Sequence, residues 1–348
     1  MIETTIPKLS ICIATLNRGK YIGETLESIV VQLPREVELV IVDGASSDDT
    51  PEIIAQYALR YPQIRYIREV TNSGVDADYD KAVGYAMGEY CWLMTDDDLL
   101  KPGAINRVIS ELDGQRNLVI VNAEVRNADF SRILAEKQLN IPSDRSYSKD
   151  DSEMLFSECM NYLSFIGGVV IRRKFWLERD RISFYGSLFV HVGVIFQQSC
   201  IENVYVIADP LIVIRYGNAL WTSRGFEIFS FKWQALVWSF AGFSDKVKRH
   251  VCHPEPWKRT KTLFYNRAIG AYGRDEFYKF IYPRTLGLKR FVAYSIAIFP
   301  AAMVNIISIF YFMIFNRSER AMQYDLLRSR HATVVSRWLA KLLWKSGQ

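Results

Sequence analysis

The chain has 348 residues, 49% of them hydrophobic and 23% charged, and a formal net charge of +5. That length exceeds a peptide-sized binding module and allows two domains, and that share of apolar side chains excludes a mostly disordered chain. The small net charge is a cancellation, because residues 1–244 carry 24 basic and 32 acidic side chains while 245–290 carry 12 and 4. Residues 291–315 carry no charge, and residues 316–348 carry 7 basic and 2 acidic side chains. A nucleic-acid surface would explain the basic charge but not an uncharged stretch between two basic flanks, so no nucleic-acid partner is expected and lipid is favoured. Five cysteines, at 12, 91, 159, 200 and 252, form no Cys-x-x-Cys pair and cannot all pair within the chain, which fits a reducing compartment. The start, MIETTIPKLS, lacks the basic and apolar regions of a secretory signal, so the body is expected in the cytoplasm.

In chain order, LSICIAT (9–15) reads as a short strand, and YIGETLESIVVQL (21–33) places Ile22, Leu26, Ile29 and Leu33 at helical spacing. VELVIVDGAS (37–46) is a second strand ending in Asp-Gly, followed by a helix start with Ser and Asp caps and an early Pro51. RYIREV is a third strand, ADYDKAVGYAMG a helix, and EYCWLMTDDD a fourth strand that runs into acids. Strands covered on both faces and joined by helices specify an α/β fold with a mostly parallel central sheet. Ligands of such sheets sit beyond the carboxyl ends of the strands. Thr15, Asn17 and Arg18, then Asp43, Gly44 and Ser46, then Asp96, Asp97 and Asp98 are therefore expected at one edge. Residues 126–162 form a polar excursion, after which apolar elements return around residues 165–176, 185–199 and 205–218.

Three consecutive carboxylates repel one another when dry, and a divalent cation, Mg²⁺ or Mn²⁺, relieves that repulsion while also meeting diphosphate oxygens. The alternative is an acid-rich turn capping the helix after LLKPGAI. Asp43 can accept bonds from a base or ribose, and Gly44 permits close backbone approach. Asp76, Asp78 and Asp80 flank Tyr79 and either bind sugar hydroxyls or solvate their loop. Arg215, Tyr216, Asn218 and Arg224 follow a strand and suit phosphate or acceptor, or a solvated loop. HVCH at 250–253 is too compressed for a zinc site.

The segments at 10–29, 38–50, 72–74, 78–81 and 86–105 resemble the nucleotide-sugar glycosyltransferases of family 2, whose catalytic domain has the Rossmann-like GT-A fold. The resemblance implies that Thr15 and Asp43 contact the nucleotide. It further implies that Asn17, Arg18, Gly44, Asp76, Asp78, Lys81 and Asp96 serve the donor, and that Asp97 and Asp98, with Asp96 as a further ligand, form the metal site. One departure is that Thr95 stands where the family's Asp-x-Asp-Asp begins, leaving Asp96 to take over. FIGGVVIRRKFW, FYGSLFVHVGVIF, ADPLIVIRYGNALW and EPWKRTKTLFYNRAIGAYG are similar to bacterial abequosyltransferase-type O-antigen sugar transferases. Many family members carry a Glu-Asp pair whose aspartate takes the acceptor proton; here His191 occupies that place, and an imidazole can do the same work. The alternatives for His191 are a structural histidine or a metal or phosphate contact.

Residues 291–315, FVAYSIAIFPAAMVNIISIFYFMIF, are long enough to cross a bilayer if helical, but Pro300 interrupts them and basic residues flank both ends. An in-plane or re-entrant helix is favoured slightly over a crossing, and RWLAKLLWKSG (337–347) adds an amphipathic basic helix. The expected organisation is a GT-A catalytic domain at 1–225, a basic helical extension at 226–290 and membrane-associated helices at 291–348. The expected activity is inverting, metal-dependent transfer of a sugar, such as a 3,6-dideoxyhexose, from a nucleotide-diphosphate donor to a polyprenyl-diphosphate-linked oligosaccharide. The expected location is the cytoplasmic face of a bacterial inner membrane, with anionic lipids as partners and a second copy of the chain as a further one. A processive synthase would carry several spans, and a nucleotide-sugar sensor would not need His191.

Overall fold

The computed structural model describes residues 6–198, 201–218 and 222–345 and resolves two compact units. Cys200, residues 219–221 of the ADPLIVIRYGNALW stretch and the last two residues of the 337–347 motif lie outside the described residues. The first unit takes in residues 1–126, 136–215 and 240–251. Its strands β1 (Leu9–Thr15), β2 (Val37–Asp43), β3 (Ile64–Arg68) and β4 (Tyr90–Met94) alternate with helices α1 (Gly19–Val30), α2 (Thr50–Arg60) and α3 (Val75–Tyr85). β1 runs parallel to both β2 and β4, and β2 runs parallel to β3. Every residue of β1, β2 and β4 is buried, as strands covered on both faces must be. α1 buries Ile22, Leu26, Ile29 and Val30, and burying each such side chain contributes about 1.5–3 kcal/mol.

Beyond β4 the sheet changes character. Its main path runs β3-β2-β1-β4, then Val169–Arg172, β6 (Leu118–Asn127), Val204–Tyr216 and the short β5 (Leu99–Leu100). Val169–Arg172 pairs antiparallel with both β4 and β6, and Val204–Tyr216 pairs antiparallel with β5. The central sheet is therefore mixed, which corrects the expectation of a mostly parallel one. The three helical crossovers that keep β1 to β4 parallel are not repeated after Met94, and strands that return without such a crossover are free to reverse.

The second unit takes in residues 127–135, 216–239 and 252–348. Its described helices include Thr260–Ile269, Gly287–Ile298, Ala301–Phe315, Arg320–Arg328 and Val334–Lys345. The uncharged stretch is two helices, Gly287–Ile298 and Ala301–Phe315, meeting at a bend of 100°. Among the described residues no single helix is long and apolar enough to cross a membrane. The break falls at Phe299–Pro300, where the proline ring drives the preceding residue out of the helical region, and Phe299 has φ −61° and ψ 143°.

Candidate active site

The carboxyl edge of the parallel strands is laced together by its loops. Strand register sets Thr15 beside Asp43 and Ile13 beside Met94, so the loops after β1, β2 and β4 leave the sheet at the same edge. The loop after β1 is tied to that after β2: the Gly44 N–H donates to the Thr15 carbonyl, and the Asn17 N–H donates to Ser46 Oγ. Asn17 sits at φ 54°, a left-handed conformation asparagine tolerates, and its side-chain oxygen accepts the Ser47 N–H at 2.8 Å. The Arg18 N–H donates to Thr50 Oγ1 at 2.7 Å, and the Gly19 N–H to Asp48 at 3.0 Å. A Cβ at Gly19 would lie 1.6 Å from an oxygen of the exposed Asp49 side chain, so a larger residue there would displace that carboxylate. These bonds fix where the Arg18 side chain starts.

Asp43 is fully buried and accepts bonds from the Ser46 N–H and the Tyr66 hydroxyl, both at 2.8 Å. Burial first, and Asp43 second, pushes the Tyr66 pKa upward, so the phenol stays protonated and donating. Gly44 lies so near Asp78 that a Cβ would approach its carboxylate to 2.8 Å. Asp78 accepts the Ser73 hydroxyl at 2.5 Å, and its pKa is raised by burial. Lys81 reaches Glu69 at 2.7 Å and Ser73 at 3.0 Å.

Asp76 has a different setting. Its carboxylate accepts the backbone N–H groups of Gly186, Leu188 and Val190 at 2.8, 2.8 and 3.0 Å, so it holds the loop leading into the helix Val190–Phe196. One turn further along α3, Asp80 accepts the Trp176 indole at 2.7 Å and the Tyr185 hydroxyl at 2.6 Å and pairs with Arg181 at 2.8 Å. The sequence reading missed this anchoring by Asp80. The signal was available, since acids four apart on a helix share a face.

The acids after β4 divide between two arginines. Arg18 Nε lies 3.2 Å from Asp96 and its Nη2 3.0 Å from Asp97. Burial opposes the Arg18 charge, but Asp96 and Asp97 outweigh it and raise its pKa. Asp96 is pushed up to about 7 by burial and by Asp97, the expected result of two desolvated like charges. Asp98 is engaged on both oxygens, accepting the Thr95 hydroxyl at 2.5 Å and the Arg215 N–H at 2.7 Å. The Arg215 guanidinium donates to the Asp97 carbonyl at 2.9 Å and pairs with Glu24 at 2.6 Å, lying over the Tyr21 ring. The helix after LLKPGAI, α4 (Ala104–Ile109), begins at Gly103 with no side-chain cap, so these acids do not cap it.

His191 is buried, 1% exposed, with Nε2 2.7 Å from the Leu163 carbonyl. A carbonyl only accepts, so Nε2 carries the proton and the lone pair lies on Nδ1, which has no hydrogen-bond partner. Burial lowers the ring's pKa to about 4, leaving the imidazole neutral at neutral pH and a weaker base than an exposed one. Of the phosphate and acceptor candidates, Arg215 joins the acids. In the second unit, Tyr216 donates to Asp325 at 2.6 Å and Arg224 lies 3.6 Å from Glu227, and Asn218 follows the strand end. A cavity of about 740 Å³ opens at the opposite edge of the sheet, lined by Lys8, Met87, Glu89 and Arg173 among others, away from the strand ends where ligands of such sheets bind.

Among the described residues, no group of three or more histidine, cysteine, aspartate or glutamate side chains is arranged to hold a metal ion. Asp96 and Asp97 nevertheless suit a hard divalent cation: they offer oxygens only, they are nearly buried together, and in this structure a guanidinium already supplies the positive charge they require.

A mixed α/β sheet with a Rossmann-like parallel half, and acids gathered at its carboxyl edge, defines the GT-A-like class of sugar transferases. Residues 10–180, just under half of the chain, match glycosyl transferase family 2, which relates the chain to the nucleotide-sugar glycosyltransferases of that family. It is 27% identical to abequosyltransferase RfbV of Salmonella typhimurium over 239 residues, covering 62% of this chain and 69% of that one. It is 31% identical to chondroitin synthase of Escherichia coli over 137 residues, covering 39% of this chain and 20% of the synthase. Two solved structures share the fold. S. aureus TarS 1–349 in complex with UDP has a TM-score of 0.52 at 14% identity, with 98% of this chain and 92% of that one covered. The mannosyltransferase PcManGT from Pyrobaculum calidifontis, in complex with GDP-Man and Mn²⁺, has a TM-score of 0.53 at 17% identity, with 98% and 88% covered.

Proposed function

We propose that the chain transfers a sugar, such as a 3,6-dideoxyhexose, from a nucleotide diphosphate to a hydroxyl of a polyprenyl-diphosphate-linked oligosaccharide, with inversion, at the cytoplasmic face of a bacterial inner membrane. The observation that carries this reading is the meeting of Thr15, Asp43, Arg18, Asp96 and Asp97 at one sheet edge. The sugar class rests on the likeness to an abequosyltransferase over 239 residues.

In this reading Asp43 and Thr15 receive the nucleoside, Gly44 lets its backbone come close, and Asp78 and Lys81 border the donor. Asp97, together with Asp96 in place of the expected Asp98, whose two oxygens are taken by Thr95 and Arg215, would hold Mg²⁺ or Mn²⁺, which when bound would neutralise charge on the departing diphosphate. Asp98 orients the backbone at Arg215, and Arg18 and Arg215 bring guanidinium groups to the same edge, suited to phosphate oxygens. Asp76 positions the loop before His191. His191 accepts the acceptor hydroxyl's proton at Nδ1, while the Leu163 carbonyl fixes the tautomer. Residues 291–348 serve as the membrane-associated part that brings the enzyme to its lipid-linked acceptor.

The test is a panel of nucleotide sugars supplied with lipid-linked acceptor fragments to the purified full-length protein. Transfer of a dideoxyhexose in a divalent-ion-dependent manner supports the reading. Donor binding without turnover in the presence of every acceptor contradicts it.

A further inference from the structure

The helices Gly287–Ile298 and Ala301–Phe315 each have one face committed to the second unit. In the first, Ala293, Ile296 and Ala297 pack with Phe226, Leu263, Tyr272, Phe277 and Ile281. In the second, Val304, Ile309 and Phe312 pack with Ala268 and Leu326. Asn305, fully buried, fastens that face with polar bonds: its amide donates to the carbonyls of Leu326 at 2.8 Å and Ala268 at 3.2 Å, and its oxygen accepts the Ser336 hydroxyl at 2.7 Å.

The bend between the helices is also fastened. The Phe299 carbonyl, which Pro300 leaves outside the regular helical ladder, accepts two bonds from Arg267, from Nε at 3.0 Å and Nη2 at 2.8 Å. Straightening the pair would break both bonds and leave a guanidinium and a carbonyl without these partners. Length points the same way. At 1.5 Å per residue the 15-residue Ala301–Phe315 spans about 22 Å, short of a hydrocarbon core of about 30 Å, and the 12-residue Gly287–Ile298 is shorter still.

The outer faces are apolar and uncovered. Leu288, Phe291, Met303, Ile307, Phe310 and Ile314 are about half exposed or more, and the last four recur at helical spacing on one side of Ala301–Phe315. Charge around this surface is one-sided: residues 284–338 contain eight arginines and lysines and two acids. One of those acids, Asp325, is turned to the hydroxyls of Tyr216 and Tyr265. An apolar face bordered by positive charge matches the headgroup and acyl boundary of an anionic leaflet.

We infer that the Gly287–Phe315 helix pair is a preformed in-plane anchor, a bent wedge seated in one leaflet of an anionic bilayer with both basic flanks on the same side, and that it does not cross. The inference rests on the reading that this end of the chain associates with a membrane, and the experiment separates the two. Full-length protein is floated with vesicles of phosphatidylcholine alone or with phosphatidylglycerol added. Cysteines introduced one at a time, Lys289→Cys and Ser318→Cys, are then labelled with a membrane-impermeant maleimide added outside the vesicles, and the labelling of the parent chain's five native cysteines is subtracted.

The wild type is expected to float at least tenfold better with phosphatidylglycerol than without it. Met303→Glu/Phe310→Glu, at exposed positions that leave the buried face intact, is expected to abolish flotation with an unchanged melting curve. Both cysteines are expected to label to within about twofold of each other. Vesicle binding with only one flank labelled overturns the in-plane anchor and leaves membrane association standing. A wild type that does not float at all overturns both. A dimer in solution that the double variant dissociates, without vesicle binding, assigns the face to a second copy and likewise overturns the inference.

Discussion

The acid edge of the first unit and the bent helix pair of the second solve opposite physical problems. At the edge, charges that would repel are kept close by burying them and meeting them with Arg18, Arg215 and backbone N–H groups, so the site holds electrostatic tension that a ligand can relieve. At the bend, apolar side chains are left facing outward while a few polar bonds, from Arg267 and Asn305, fix the geometry beneath them. One region concentrates charge and the other concentrates exposed apolar surface. Losing a single group should therefore stop turnover in the first, whereas the second should fail only when its apolar surface is spoiled.

The largest effect expected from this contrast is at the edge. Asp97→Asn should lower kcat/KM by about 100-fold or more, since the proposed metal ligand and an Arg18 partner go together, while vesicle flotation stays unchanged; transfer assays and flotation on the same preparation check it. His191→Gln should lower kcat by about 100-fold if the imidazole takes the proton, with donor affinity little changed. The same variant also tests the buried ring's titration. With a folded pKa of about 4 against an ordinary 6.5, the unfolded chain binds the proton first, so wild-type stability falls as pH drops from about 6.5 to 4. The wild type should lose about 3 kcal/mol relative to His191→Gln over that window, measured by denaturant unfolding at several pH values.

Asp76→Ala frees three backbone N–H groups, and charge-assisted bonds contribute about 1.5–3 kcal/mol each before partial rescue by water, so a loss of about 2–4 kcal/mol in unfolding free energy is expected. The smallest effect should come from Asn305→Ala. It strands buried carbonyls at a cost of about 1–3 kcal/mol and lowers the melting temperature, with transfer activity at lower temperature retained.

The parallel half of the sheet is legible in the sequence because β1, β2 and β4 are short apolar runs that end abruptly in polar residues, and the helices between them carry clear apolar spacing. The antiparallel half is not. Val169–Arg172 is four residues long, and nothing in VVIR separates a strand running one way from a strand running the other. The acids at 96–98 announce a charged site, but their division does not follow from their order, since Asp98 is claimed by Arg215, 117 residues away. Asp76 reads as an acid that binds sugar hydroxyls or solvates its loop until the chain returns, 110 residues later, with N–H groups for it to accept. Pro300 marks the interruption in the apolar stretch, whereas the bond from Arg267 that holds the bend comes from a different helix. What the sequence conceals in each case is a long-range polar partner, because such bonds leave no periodic trace in the chain.

The most direct measurement is transfer of radiolabelled sugar from a nucleotide-diphosphate donor to a polyprenyl-diphosphate-linked acceptor by the full-length protein, run with added Mn²⁺ or Mg²⁺ and with a chelator. Transfer that requires the cation and disappears in Asp97→Asn is the predicted result. Undiminished transfer in chelator, or full activity in Asp97→Asn, would contradict the account.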